Sequence, residues 1–301
     1  MEKLKSNPDY MKRLKETILK SGFPLELETD DVLREHNWGT FPSMHFIDED
    51  EVERKQREID NFALFPHDES LDKIFEPLGV SPHLVIECKK LDQVSAVILR
   101  GSVRTPTHYD FSGQTYDFTW LMERRVSGRI PDEFHLGHFL TRAAFHYRAF
   151  TDRIGVGMGM KPDDTSEAAV EKVRGGIMQL VKAQAYHVAV SIQRDKTIQH
   201  PYYPFYFGFL TLVIDGGIVE VERRGSDIAL EEVRHGVVKA SYKPVYSDEI
   251  LSYLIDVVRK DYLETYLELL LKDRFKLART IEGDKERLVE YQKRRKATDI
   301  F

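Results

Sequence analysis

Glu87 and Lys89 stand two residues apart where a short apolar run, Leu84-Val85-Ile86, gives way to Glu87-Cys88-Lys89-Lys90. In a strand, residues two apart project from one face, so Glu87 and Lys89 share a side while Ile86 and Cys88 take the other. Asp60 lies upstream in Glu58-Ile59-Asp60-Asn61-Phe62-Ala63, a segment that alternates like a strand. If the two strands are neighbours, two carboxylates and one ammonium converge. That trio suits hydrolysis of a phosphodiester. The reaction needs a divalent metal to neutralise the non-bridging oxygens and the leaving group, a source of hydroxide near neutral pH, and positioned positive charge. Asp60, Glu87 and the carbonyl of Cys88 offer the hard oxygen ligands that Mg²⁺ prefers. Lys89 would orient or deprotonate the attacking water. Beside two carboxylates an ammonium is expected to stay protonated, which makes positioning its firmer role.

The elements that must hold these residues can be read in outline. An opening helix is expected over Pro8 to Ser21, with Met11, Leu14 and Ile18 on one face and Gly22 as its stop. A second runs from Pro24 to about His36 and closes at Asn37-Trp38-Gly39. Strands are expected over Phe41 to Ile47 and Glu58 to Phe65, joined by the charged stretch Asp48 to Arg57. Pro66 to Pro82 contains Leu71, Ile74, Phe75 and Leu78 at helical spacing and reads as a short helical insertion. Leu84 to Lys90 then reads as a buried strand whose polar end emerges at a sheet edge or cleft. Further on, Val97 to Arg125 is β-rich, Asp132 to Phe150 helical, and Asp164 to Ser191 a long amphipathic helix. Tyr203 to Ile214, the turn Asp215-Gly216-Gly217 and Ile218 to Val221 read as a hairpin. From Ser247 the pattern is helical nearly to the end.

The Glu58-Ile59-Asp60 and Val85-Ile86-Glu87-Cys88-Lys89 segments, behind a helix and a hairpin, resemble the PD-(D/E)xK nucleases, most of all their restriction-endonuclease-like (Mrr-type) branch. The resemblance covers roughly residues 21–90. It implies an α/β fold in which a mixed central sheet is flanked by helices, here with insertions over residues 1–245 and a helical C-terminal extension over 246–301. It also implies metal-dependent cleavage of nucleic acid, DNA by preference, with Mg²⁺ or Mn²⁺ as cofactor. The family's Asp falls on Asp60, its second acid on Glu87 and its lysine on Lys89. A further helix glutamate falls on Glu26 or Glu28, with Glu26 favoured because it follows Phe23-Pro24-Leu25 as the helix begins. Ile59 stands in place of the motif's proline, and the interval from Asp60 to Glu87 is long, so the insertion at Pro66 to Pro82 must loop out of the sheet. A catalytically inactive nuclease-fold protein that binds nucleic acid or a protein partner is the competing expectation.

Composition sets the outer bounds. With 301 residues, 42% apolar and 31% charged, the chain can bury a substantial core. Cys88 is the sole cysteine, which excludes an intramolecular disulfide and a cysteine-only zinc site. A charged start without an apolar stretch behind it, and a longest apolar run of only Phe205 to Ile214, point to a cytoplasmic protein without membrane contact. The net charge of −6 gives no global basic footprint, although Lys272 to Lys296 carries ten Lys or Arg against five Asp or Glu. That segment reads first as a solvated helix face. Gly155-Val156-Gly157-Met158-Gly159 lacks the spacing of a nucleotide-binding loop and reads as a connector. His135, His138, Arg142 and His146 would share a helix stripe and read as an exposed polar face. The aromatics from Tyr202 to Phe209 read as core, and Gln179 and Lys182 as a solvent face with the candidate site as their other possibility. Ile250 to Leu271 offers a dimerisation surface for a homodimer.

Overall fold

A computed structural model describes residues 8–48, 55–75, 80–100, 150–151, 154–157, 166–197, 205–243 and 251–298. The helices are α1 (Pro8–Lys20), α2 (Phe23–Glu35), α3 (Glu69–Phe75), α4 (Ser166–Thr197) and α5 (Leu263–Thr298). The strands are β1 (Gly39–Asp48), β2 (Lys55–Leu64), β3 (Val80–Arg100), β4 (Phe150–Thr151), β5 (Ile154–Gly157), β6 (Phe205–Arg224), β7 (Asp227–Val233), β8 (His235–Tyr242) and β9 (Leu251–Arg259). They form one mixed sheet in the order β1-β2-β3-β6-β9-β8-β4, with β5 on the far half of β3 and β7 on the far half of β6. β3, β6 and β9 run parallel in the middle, and antiparallel pairs β1-β2, β2-β3 and β8-β9 flank them. The expected α/β class with a mixed open sheet between helices is the architecture found.

Two apolar layers hold the sheet. On one face Leu25 and Leu33 of α2, Leu71 and Phe75 of α3, and Tyr266, Leu267 and Leu270 of α5 pack on Ala63, Leu84, Ile86, Cys88, Phe209 and Val213. On the other, Val173, Ile177, Leu180 and Val181 of α4 pack on Ile59, Phe62, Val85, Leu210, Leu212 and Ile214. Cover on both faces explains why Leu84-Val85-Ile86 is an unbroken run and Phe209 to Ile214 is interrupted only by the buried Thr211, neither of them alternating. The C-terminal end of α2 is set by Asn37 at φ 61°, with the Trp38 N–H donating to Leu33 O at 3.0 Å, a backbone closure that Asn tolerates. Of the insertion expected over Pro66 to Pro82, the short helix α3 is present, but Val80 to Pro82 already belong to β3 and pair with β6. Arg274 of α5 holds α3 in place by donating to Pro66 O and, at 2.7 Å, to Asp72, while its guanidinium lies over Phe65.

Three expectations are corrected. Asp215-Gly216-Gly217 is not a turn. β6 runs straight through it, because residues 217–222 continue to pair with 95–100 of β3 after a register shift between Lys90 and Ser95. The reversal comes instead at Gly225, whose φ of +66° suits a two-residue hairpin loop into β7. Ser247 onward does not begin as a helix. Residues 251–259 form β9, inserted between β6 and β8, and α5 starts at Leu263. Ile255, Val257 and Val258 are fully buried and β-branched, so a strand covered on both faces wins over a helical reading of the same apolar spacing. Tyr253, Ile255, Val257, Val258, Leu263, Tyr266, Leu267 and Leu270 of this stretch are buried in the core. Third, Gly155 to Gly157 lies in β5 and pairs with β3, so this part of the expected connector is a strand.

The β-rich reading beyond Arg100 and the histidine-bearing helix of 132–150 fall outside the described residues, apart from the β4 residue Phe150. No helix among the described residues is long and apolar enough to cross a membrane.

Candidate active site

β2 and β3 pair antiparallel from Leu64↔His83 to Asn61↔Ile86, and there the pairing stops. The same register would set Asp60 opposite Glu87. Instead the Asp60 carboxylate turns inward, and its Oδ2 accepts the backbone N–H of Cys88 at 2.6 Å. Asp60 is also skipped in the β1-β2 register between Met44↔Ile59 and Pro42↔Asn61, where Ser43 adopts φ 57°. The kink is visible in the packing: Ile59 and Phe62, three apart, both face α4, whereas Ala63 faces α2. A local irregularity thus aims a carboxylate into the place a ladder bond would take.

Glu87 and Lys89 project toward α4 with Val85, as strand alternation requires. Glu87 is 1% exposed; its Oε1 accepts Lys89 Nζ, and its Oε2 is buried without a partner. The stem of Lys89 rests on Gly176 of α4, where a Cβ would stand 3.1 Å from Lys89 Cε and 2.9 Å from Leu212 Cδ1. Gly176 therefore makes the space in which the lysine reaches the glutamate. Cys88 points to the opposite face. Its Sγ lies 3.5 Å from Thr29 Oγ1, and burial raises its thiol pKa well above the ordinary value, so it is packing and not a nucleophile.

α2 contributes from the other side of the gap. Burial first, and the Asp60 charge second, raise the Glu26 pKa, which also responds to Lys89. Glu28 is 61% exposed and reaches Lys260 at 3.5 Å, whereas Glu26 is the helix glutamate that feels the charges of Asp60 and Lys89. One turn on, Asp30 accepts Asn61 Nδ2 at 3.0 Å and Arg34 Nε at 2.7 Å, tying α2 to the strand position beside Asp60. Gln179 donates to Glu58 O at 3.3 Å, while Lys182 is held by Asp48 at 2.8 Å at the edge of β1.

The electrostatics have one sign. Burial, opposed by the Cys88 N–H and Lys89, raises Asp60 above the ordinary carboxylate value. Burial and the Asp60 charge push Glu87 up to about 8, against the pull of Lys89. For Lys89 burial acts downward, but Glu87 and Asp60 outweigh it and hold the ammonium above its ordinary value. Two buried strand carboxyls thus share a single ammonium, and each is harder to ionise for it. Among the described residues no group of three or more His, Cys, Asp or Glu is arranged as a ready cation cage. The candidate donors are the two strand carboxylates and backbone oxygen. Comparison with family models, with curated proteins and with solved structures gives no match in any of the three.

Sequence reasoning passed over Gly176, Asp30 and Asn61. Gly175-Gly176 inside a long helix was the available signal, because glycine there costs helix stability and invites a search for a close approach. For Asp30 and Asn61, the partnership between α2 and β2 spans 31 residues and leaves no local pattern.

Proposed function

We propose that the protein is a metal-dependent nuclease of the PD-(D/E)xK superfamily, of the restriction-endonuclease-like (Mrr-type) branch, that hydrolyses phosphodiester bonds in nucleic acid, DNA by preference. The observation that carries this reading is the Asp60 carboxylate seated on the Cys88 N–H where β2 and β3 part, beside Glu87 and Lys89. The residues fit a hard divalent cation, Mg²⁺ or Mn²⁺. Glu87 has an orphaned buried oxygen, Asp60 has one oxygen not engaged by Cys88 N–H, and the Asp60 charge disfavours ionisation of Glu87, which a cation would relieve. Asp60, Glu87 and the Cys88 carbonyl would hold it, the carbonyl because in a strand it points to the same side as its own N–H. Once bound, the cation supplies Lewis-acid polarisation of the scissile phosphate and lowers the pKa of water.

The chain's own groups do the rest. Lys89 is kept protonated by its two acidic neighbours, so it orients the attacking water and faces the phosphate's negative charge. Glu26, at the start of α2, would hold a second metal or a water. Asp30 and Asn61 fix the separation between α2 and β2 and hence between Glu26 and Asp60. The test is cleavage of plasmid and single-stranded DNA in Mg²⁺ or Mn²⁺ by the wild type and by Asp60→Ala, Glu87→Ala and Lys89→Ala. Loss of at least about 100-fold in each folded variant is expected, and persistence of activity in all three refutes the reading.

A second reading is a nuclease-fold protein that binds nucleic acid or a protein partner without cutting. It draws on the Lys89–Glu87 ion pair, which occupies an oxygen that a cation would use. Salt-sensitive DNA binding with no cleavage in either metal would favour it.

A further inference from the structure

We propose that the outer edge of β7 is a docking strand for an extended segment of another protein, one that alternates basic and apolar residues and joins the sheet by backbone pairing. Among the described residues β7 pairs with β6 alone, antiparallel and without a register shift, so its other long edge ends that part of the sheet. All of β7 except Ala229 and Val233 is exposed. Ile228 at 63% and Leu230 at 70% are the most exposed large apolar side chains among the described residues.

The other edges are closed by recognisable means, and this one is not. β1 ends the sheet on the far side, where Pro42 lacks a ladder donor and Ser43, at φ 57°, interrupts the run. β4 and β5 have only two and four residues. β7 offers seven residues in continuous register and contains no proline, lysine or arginine, the residues that commonly blunt an edge.

The two faces of β7 specify the partner. Residues directly opposite in an antiparallel ladder share a face. Val233 pairs with Ile218 and both belong to the α4 layer, so alternation sends Glu231 to that side, where it stands opposite Glu220. Asp227 is on the same side, opposite Arg224. Ile228 and Leu230 point the other way, Leu230 opposite Val221, together with Glu232, which Arg259 holds at 2.5 Å. A strand laid along β7 therefore sets its residues alternately beside the Glu231–Glu220 pair of like charges and beside exposed aliphatic side chains. A lysine or arginine offsets the first and a branched apolar residue covers the second, while main-chain hydrogen bonds hold the strand. The same chemistry disfavours other occupants. Two copies paired along β7 would bring Asp227, Glu231 and Glu232 of both together, with no cation from either strand. A phosphate backbone would meet those carboxylates with charge of their own sign.

The proposal goes beyond the nuclease reading and is tested without it. The probe is a labelled peptide of the length of β7 that alternates lysine and valine, titrated with the full chain up to about 1 mM and followed by fluorescence anisotropy. Saturable binding that weakens with added salt is expected. Affinity should fall at least about tenfold for the same peptide methylated at its backbone nitrogens, for a glutamate–valine peptide, and for the protein carrying Ile228→Lys with Leu230→Lys. Phe275→Lys, at a half-exposed apolar position on α5, should leave it unchanged. In hydrogen exchange of the wild type, the amides of residues 227–233 that point away from β6 should exchange fast alone and slow down with peptide, a reading that needs no variant to fold. No binding, equal binding of the methylated or acidic peptide, indifference to the double substitution, or peptide-induced protection away from β7 would each overturn it. So would slow exchange of those amides before peptide is added, at any concentration, because this chain or a second copy would then already cover the edge.

Discussion

Replacing Glu87 by Gln should flatten the pH dependence of stability in metal-free protein. Glu87 titrates near 4.5 when unfolded and is pushed up to about 8 by burial and Asp60 in the fold. A group whose folded pKa is raised binds its proton more tightly in the native state. Its stabilising contribution is complete below the unfolded pKa and is lost as pH rises through the folded one. Between pH 5 and 7.5 the loss from Glu87 amounts to about 3 kcal/mol. Asp60 and Glu26, also raised, act in the same direction. With a urea slope of roughly 3 kcal/mol/M for a chain this size, the wild-type midpoint should fall by about 1 M more than that of Glu87→Gln over the interval. Urea titrations of both proteins in EDTA, followed by circular dichroism at the two pH values, measure this directly. Parallel midpoints, with the two proteins losing the same stability, would refute the burial argument. Added Mg²⁺ at pH 7.5 should then raise the wild-type midpoint and leave that of Glu87→Gln nearly unmoved, a separate readout of whether the negative surplus at the site is what a cation relieves.

The glycine pair in α4 gives an internal control. A Cβ on Gly175 meets nothing within 4 Å, so Gly175→Ala should raise stability by up to about 1 kcal/mol through helix propensity; at Gly176 the same gain is opposed by Lys89 and Leu212, so Gly176→Ala should show no such gain in thermal melts and should lower cleavage several-fold. In the buried chain running from Thr211 through the Tyr266 hydroxyl to Asp256 and His235, Tyr266→Phe removes the donor to Asp256 at 3.0 Å and the acceptor for Thr211 at 2.9 Å. A loss of about 1–3 kcal/mol in urea unfolding is expected, and an unchanged midpoint would show that the network carries no net stability.

The two strand segments that bear the candidate site were legible because their information is local. Leu84-Val85-Ile86 is apolar on both faces, its polar end breaks the run abruptly, and alternation alone sorts Glu87 and Lys89 from Cys88. Pairing between β2 and β3 was a guess from adjacency that the fold bears out. The kink at Asp60 was not legible, since it depends on Ser43 in β1 and on the Cys88 N–H, both distant in sequence. The same division explains the misread elements. Asp215-Gly216-Gly217 has the chemistry of a tight turn, yet the partners of β6 run on past it, so pairing with β3 overrides local preference. Leu251 to Arg259 satisfies helical spacing as well as a buried strand does, and the decision falls to β6 and β8, which need a strand between them. For α1 the case is inverted. Its amphipathic pattern predicted the helix correctly, but a pattern says only that one side avoids water and not what covers it. Among the described residues that side stays exposed, so the apolar periodicity of α1 fixes the helix without naming its cover, whereas that of β9 marks a core.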